Sequence, residues 1–265
     1  MRARSSVHAV TDHDRRIAAM FDRIAPRYDR LNRVLSFGTD RSWRRRAVAL
    51  ARLGAGELAL DIGAGTGDLA IGLLVASDES ARVVGVDLSS GMLRISEGRL
   101  EPAGLGRRYA ALIASAEAIP VPDASVDRIV SGFTLRNIGD LPRALAEMRR
   151  VLRPGGRAVL LELSHPPDPL FGLIYRAYFE RLAPRLAALL GGDPDAYRYL
   201  PRSLRPFPDA PRLARMLRDA GFTGVRFELL TLGIAAIHVA ERAPESDLVS
   251  ASEVVVAARR PEGRS

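Results

Sequence analysis

The sequence predicts an α/β fold: a mostly parallel sheet with helices on both faces. Two observations carry that expectation. After Gly56, short apolar runs of strand length alternate with segments of helical periodicity, the pattern of a parallel sheet whose crossovers are helices. The first of those runs, "LALDI", closes on an open glycine turn between strand and helix, with Asp61 followed by Gly63, Gly65 and Gly67.

Ahead of the sheet, residues 1–13 lack periodicity and are expected to be disordered, so the folded domain is placed at 14–243. From Asp14, Ile17, Met20, Phe21 and Ile24 recur at helical spacing until Pro26 interrupts them. A second short helix carries Leu31, Val34 and Leu35 before Gly38. A third opens near Asp40 with Trp43, Ala47 and Leu50 on one face, completing an N-terminal helical cap over 14–52.

The alternation then runs in order. Strand 58–62 is followed by a helix at Leu69–Ala76, and strand 82–87 by a helix capped by Ser89 or Ser90. "YAALIAS" and "DRIVSG" are the third and fourth strands. Asp140 caps a helix carrying Leu141, Leu145, Met148 and Leu152, which Pro154, Gly155 and Gly156 stop, and "RAVLLEL" is the fifth strand. Residues 165–209 break the rhythm with an amphipathic stretch interrupted by Arg176, Arg181 and Arg185. Two readings stand: a lid over an apolar substrate or lipid-touching surface, and a plain covering helix pair or dimer contact. "PRLARMLRDAGF" resumes as a helix, and "VRFELLTL" with "IAAIHVAE" forms a closing antiparallel pair, making seven strands. The tail 244–265 is polar apart from Val254–Ala258 and is expected to be flexible.

Composition narrows the function classes. The 265 residues contain no cysteine, which excludes disulfides, thiolate metal sites and cysteine nucleophiles. The four histidines (His8, His13, His165, His238) have no metal-ligand spacing, so no metal is expected. No signal peptide or membrane-length apolar run appears, and a cytoplasmic location is expected. Net charge is +8, and every basic residue is arginine. Contact with an anionic surface and a solvated arginine bias both account for this, while the absence of aromatic-interleaved basic motifs speaks against nucleic acid.

The glycine turn calls for a nucleotide-bearing cofactor. A dinucleotide site needs G-x-G-x-x-G to seat pyrophosphate on a helix N-terminus, whereas this turn reads D-x-G-x-G-x-G. S-adenosylmethionine has no phosphate; it carries an ammonium, a sulfonium and a ribose diol. Asp61 suits the cationic methionine end, directly or through water, and Asp87 suits the ribose hydroxyls. Each aspartate also has a plain alternative as a strand-end helix cap. The ordered set of Asp61 with its glycines, Asp87, "SAEAIPVPDASVDRIV" and "MRRVLRPGG", with no placed hydride-transfer acid or base, favours the methyl donor.

At this point the sequence resembles the class I methyltransferases and, within them, the menaquinone and ubiquinone biosynthesis C-methyltransferase family. The resemblance runs from about Met20 to Glu241, through "MFDRIAPRYDRLNRVLSFGTDRSWRR", "LDIGAGTGDLA", "GVDLSSGMLRI", "GFTLRNIGD" and "LGIAAIHVAER". It implies a Rossmann-like fold and methyl transfer from S-adenosylmethionine to a ring carbon of a polyprenylated quinol. Demethylmenaquinol is the expected acceptor; a polyprenyl benzoquinol, another lipophilic or phenolic small molecule, an RNA acceptor as the weaker enzyme rival, and a non-catalytic cofactor-binding regulator are the alternatives. By the family motifs, Gly63, Gly65, Thr66 and Asp87 bind the cofactor, Ser115 and Ala116 flank the adenine, and Gly132 meets the methionine end. Two departures bear on the pocket: Ser115 replaces a longer Asn or Asp, and Thr134 replaces a glycine before "LRN".

A quinol ring carbon becomes nucleophilic when an adjacent hydroxyl, with a pKa near 10, loses its proton. Arg136 and Asn137 are placed to orient that oxygen and hold its anion, against a loop-tying role, and His165 is the one histidine placed as a base. Tyr28 and Asp29 are expected to close over the cofactor, while Tyr197, Arg198, Tyr199, Arg205 and Phe207 shape the substrate lid. A prenylated acceptor further implies peripheral contact with an anionic membrane, and a homodimer is a further possibility.

Overall fold

The computed structural model describes residues 11–189 and 193–244. The chain enters its first helix through a capping box: Thr11 Oγ1 accepts the Asp14 N–H while the Asp14 carboxylate accepts the Thr11 N–H. Helix α1 (Asp12–Ile24) therefore starts two residues before the expected boundary, and His13 is helical. Residues 1–10 and the expected tail 245–265 lie outside the described residues. Pro26 falls in a single 3₁₀ turn that re-aims the chain into α2 (Tyr28–Leu35). Phe37 and Gly38, both at positive φ, then turn it into α3 (Thr39–Ala51). The two-turn α2 buries only Leu31 and leaves Val34 exposed; on α3 Ala51, not Leu50, completes the buried stripe with Trp43 and Ala47.

Seven strands form one sheet: β1 (Leu58–Ile62), β2 (Arg82–Asp87), β3 (Tyr109–Ile113), β4 (Val126–Gly132), β5 (Leu152–Leu163), β6 (Thr223–Leu230) and β7 (Ala235–Glu241). Their order is β3-β2-β1-β4-β5-β7-β6, parallel except that β7 runs antiparallel to both of its neighbours. Helices α4 (Asp68–Ala76), α5 (Ser90–Leu100) and α6 (Leu141–Val151) make the crossovers. Ser89 Oγ caps α5 and Asp140 caps α6.

Two expected boundaries move. The fifth strand begins at Leu152, not Arg157: Leu152 pairs with Val126, the ladder shifts, and pairing resumes at Arg128 with Arg157. Pro154, Gly155 and Gly156 thus form an irregularity inside the strand, with Gly155 at φ +76°, rather than a loop before it. The third strand ends at Ile113, after which the Ala114 N–H still reaches the Asp87 carbonyl before the chain turns.

Side chains alternate across the sheet. Leu60 and Ile62 of β1, Ile129 of β4 and Leu160 of β5 pack toward α6 and the helix at Ala210–Asp219. Ala59, Val130, Val159 and Leu161 pack toward α3 and α4. Residues 165–209 hold α7 (Pro169–Ala177), a π-helical turn at Tyr178–Leu182, α8 (Ala183–Leu189) and α9 (Pro194–Leu204). The chain returns to the core through α10 (Ala210–Asp219). Helix α7 buries none of its residues.

Candidate active site

The carboxyl ends of β1, β2 and β4 meet where the strand order reverses, the place at which open α/β sheets bind ligands. A cavity of about 710 Å³ opens there. Its floor is backbone: Gly63 and Gly65 lie at φ +68° and +54°, and a Cβ on Gly65 would meet no atom closer than 3.9 Å, projecting into the cavity instead. Gly63 is bare for another reason. A Cβ there would fall 2.0 Å from Thr134 Oγ1, so the threonine fills the space the glycine leaves and narrows this wall.

The charged residues lining this cavity are all acidic: Asp14, Asp87 and Glu117. Asp87 accepts the Gly65 N–H on one oxygen (2.9 Å) and the Ser89 N–H on the other (2.8 Å), which leaves a lone pair on each for a vicinal diol. Burial raises its pKa, opposed by those N–H groups. Ser115 and Ala116 line the same cavity, with Leu88, Met92 and Ile138 as flat apolar surface, and Gly132 and Asn137 close the far end. Asn137 Oδ1 is buried without a hydrogen-bond partner. An acidic, arginine-free cavity with a diol acceptor and an orphan carbonyl fits S-adenosylmethionine and offers a pyrophosphate nothing.

Three expected ligand residues stand behind this wall. Asp61 is 1% exposed and accepts the Ala70 N–H (3.1 Å), because strand alternation turns it with Ala59 toward α4. Burial pushes its carboxyl up to about 7 even though Arg44 opposes the shift. Thr66 Oγ1 donates to Asp29 (2.7 Å), and Arg99 spans the Thr66 carbonyl, Asp29 and Asp68. Asp29 and Thr66 therefore latch α2 onto the glycine turn and line neither cavity. A second latch is Asp22, which accepts from Ser89 Oγ (2.5 Å) and the Gly91 N–H (2.8 Å).

A larger cavity of about 1280 Å³ adjoins the first. It is walled by aromatic and aliphatic side chains of α2, α3 and α7, including Trp43, Phe171 and Tyr175. Tyr28 and Phe133 line both cavities and form their common wall. Phe133 is held at φ +61°, a conformation that costs a bulky residue on the order of 1–3 kcal/mol. Hydrogen bonds fix it there: its N–H donates to Leu161, and its carbonyl accepts from Arg136 (2.6 Å) and Asn137. The Arg44 guanidinium lies 5.0 Å from the centre of its ring.

Arg136 faces the larger cavity and is 3% exposed, paired with Glu162 at 2.6 Å. Burial opposes its charge, but Glu162 and the Tyr28 and Tyr199 phenols outweigh burial and hold it protonated. Its Nε has no partner. Tyr28, buried beside it, has its phenol pKa raised by burial against the pull of Arg136 and Arg44. Tyr199 joins Tyr28, Arg136 and Asn137 around a small side cavity of about 290 Å³.

The other expected residues lie elsewhere. His165 Nε2 donates to the Phe207 carbonyl (3.0 Å), tying the post-β5 loop to the chain before α10, away from both cavities. Phe207 is buried in the core beneath α10, and Arg205 is surface-exposed in an ion pair with Glu180. The side chains of Tyr197 and Arg198 lie outside the described residues. Sequence reasoning missed Arg44, Phe133, Glu162 and the α7 aromatics. Glu162 carried a signal, an acidic residue inside the apolar run at 158–163, where a buried charge demands a partner. Among the described residues no group of three or more His, Asp or Glu side chains is placed to hold a metal ion, and no helix is long and apolar enough to cross a membrane.

Comparison with known proteins bears on this pair of cavities. A model of the ubiE/COQ5 methyltransferase family matches residues 9–242. The chain is 50% identical to the demethylmenaquinone methyltransferase of Thermus thermophilus, over 84% of this chain and 100% of that one. It is 43% identical to the protein of the same name from Deinococcus radiodurans, over 87% and 94%. With the ubiquinone/menaquinone biosynthesis C-methyltransferase UbiE of Geobacter sulfurreducens it shares 41%, over 89% and 92%. Among solved structures, the [4+2]-cyclase SpnF superposes with a TM-score of 0.67 at 19% identity, covering 89% of this chain and 98% of that one. A Thermotoga maritima S-adenosylmethionine-dependent methyltransferase gives 0.61 at 22%, covering 85% and 99%. The last two likenesses speak for the fold alone, since one fold hosts many chemistries.

Proposed function

The chain belongs to the ubiE/COQ5 methyltransferase family and is an S-adenosylmethionine-dependent methyltransferase, and from that premise we propose that it methylates a ring carbon of demethylmenaquinol. One observation carries the reading: an acidic, arginine-free cavity and a large aromatic-lined cavity meet at two side chains that line both, Tyr28 and Phe133. Relatives named demethylmenaquinone methyltransferase, matched over nearly their whole length, support the naphthoquinol head group. The Geobacter sulfurreducens relative, whose name includes ubiquinone, keeps a benzoquinol as the second reading.

S-adenosylmethionine, when bound, supplies an electrophilic methyl group on a sulfonium. Asp87 would hold the ribose hydroxyls, Asp14 and Glu117 give the cavity the negative sign that a cationic ligand prefers, and Asn137 Oδ1 is free to accept a hydrogen bond from it. Tyr28 and Phe133 exclude water from the line of transfer. On the acceptor side of that junction Arg136 would act on the quinol. Glu162 sits behind it and does not line the cavity, so the positive end of the pair faces the acceptor oxygen and favours its anion. Tyr28, kept neutral by burial, hydrogen-bonds the same oxygen and fixes the ring angle.

The net charge of +8, all of it from arginine, and the apolar acceptor cavity support a cytoplasmic enzyme that visits an anionic membrane surface. Pelleting with anionic vesicles is expected at low salt and should weaken as salt rises. The reaction itself is tested with labelled S-adenosylmethionine offered to demethylmenaquinol and to the matching demethyl benzoquinol in parallel. Label in the naphthoquinol product is the expected result. Label in neither, with the cofactor bound, would move the acceptor to another class.

A further inference from the structure

The larger cavity ends at the protein surface in a rim that a water-facing mouth would not have. Helix α7, "PLFGLIYRA", buries none of its residues, and Leu170, Leu173 and Ile174 stand exposed on it. Opposite lies the tip of the turn between α2 and α3, where Phe37 is 79% exposed and rests against Tyr178. The third side is the turn between β6 and β7, where Leu232 is 70% exposed; Thr231 and Ile234 on either side of it line the cavity. Gly233 of that turn packs on Pro166 and Pro167 ahead of α7, joining the rim into one surface.

Two features separate this rim from scattered surface leucines. Phe37 and Leu232 sit at φ +52° and +55°, the left-handed region that bulky residues rarely adopt. The backbone is thus strained at the two turns that present a large apolar side chain to the outside, while α7 presents its own without strain. The rim is also continuous with the cavity, since Phe37 and Ile174 belong to both. Around it, Arg41 follows Phe37 by four residues and Arg176 follows Ile174 by two, both exposed and neither in an ion pair among the described residues. An apolar tip flanked by two exposed arginines against one exposed carboxylate, Asp168 at the start of α7, matches a bilayer with anionic headgroups.

We propose that this rim seats on an anionic bilayer and that the acceptor enters laterally, its ring passing into the cavity while most of its tail stays in the lipid. The proposal rests on the lipophilic-quinol reading and adds the docking surface and the route. The geometry also sets a tail rule: the cavity takes the ring and the first isoprene units, and longer tails are tolerated because they never leave the membrane.

The test uses Leu173→Asp/Leu232→Asp, two rim residues that do not line the cavity and are exposed enough to lose little packing. Aspartate tolerates the left-handed backbone at 232 better than leucine does. Wild type and variant are compared for thermal midpoint, for pelleting with phosphatidylcholine vesicles with and without phosphatidylglycerol, and for methyl transfer to two acceptors. One acceptor is a short-tailed demethylmenaquinol dispersed in solution, the other a long-tailed one embedded in the vesicles. The expected result is an unchanged midpoint and solution turnover within about twofold, with pelleting and vesicle turnover down about tenfold or more. Unchanged vesicle turnover would overturn the proposal. Equal losses on both acceptors would make the rim part of the acceptor cavity instead. A dimer that the variant converts to monomer, with vesicle binding intact, would make it a self-contact. If wild type methylates neither acceptor, the quinol reading fails, while the pelleting comparison still decides whether the rim docks.

Discussion

The two cavities that meet at Tyr28 and Phe133 are made of opposite materials. The cofactor side is built on strand ends, bare glycine backbone and fixed N–H groups held by a ladder that registers β1 against β2 and β4, with Asp14 of α1 closing over them. The acceptor side is helical and aromatic, hung outside the sheet on α2, α3 and an α7 that buries nothing. The rigid half serves the invariant partner of the reaction, and the loosely packed half receives the bulky apolar one. Local stability follows the same division, since elements with few buried contacts open more readily.

If that division of labour holds, damage on one side should leave the other side's ligand alone. The largest effect is expected from Arg136→Ala, which should cut turnover by about 100-fold or more while cofactor affinity moves little. Because the substitution strands Glu162, a stability loss of about 3–5 kcal/mol should accompany it, so the kinetics belong at a temperature where the variant stays folded. Cofactor affinity and turnover falling together would break the comparison. The converse change, Asp87→Asn, removes half of the diol acceptor and should weaken cofactor binding by about 10- to 100-fold in calorimetry. Saturating cofactor should restore most of the acceptor rate.

Two smaller effects sharpen the picture of the rigid half. Gly63→Ala should cost about 2–4 kcal/mol, from the clash with Thr134 and from a side chain at φ +68°. Adding Thr134→Gly should recover the clash but not the backbone strain; a denaturant series showing no recovery would disprove the interlock. Asp61 gives a pH signature. Its folded carboxyl, at about 7 against the ordinary 3.8, binds more protons folded than unfolded between those values. Stability from this group is therefore greatest below about pH 4 and falls as pH rises to about 7, by an amount on the order of 4 kcal/mol. Asp61→Asn should flatten that slope in unfolding curves taken across the range.

How far these features could be read from sequence depended on whether they were local. The strand–turn–helix rhythm, the caps at Ser89 and Asp140, and the glycine turn all act within a few residues, and each is where periodicity and turn chemistry put it. The α1 start moved because a Thr-x-x-Asp capping box was passed over, and β5 lengthened because a Pro-Gly-Gly stop became an irregularity once Val126 supplied a partner. Site residues divided the same way. Asp87, Ser115, Ala116 and Gly132 lie at strand ends and line the cavity, as topology alone requires. Asp61 and Thr66 occupy the same motif but turn to helix α4 and to Asp29, a choice made by strand alternation and by a residue 37 positions away. His165, Arg205 and Phe207 were placed by proximity to a strand end or to the 165–209 segment. Contacts with Phe207, Glu180 and the core, none of them written locally, decide where they sit.

The clasp on the N-terminal helices has a kinetic side. Helix α1 lines the cofactor cavity, and Tyr28 of α2 lines both cavities, while Asp22, Asp29 and Arg99 clasp both helices to the glycine turn and to α5. Lifting these helices to exchange spent cofactor uncovers the acceptor ring's resting place in the same motion. Restocking and chemistry therefore share one gate, and each hydrogen bond that keeps the transfer dry lengthens the wait before the next turnover.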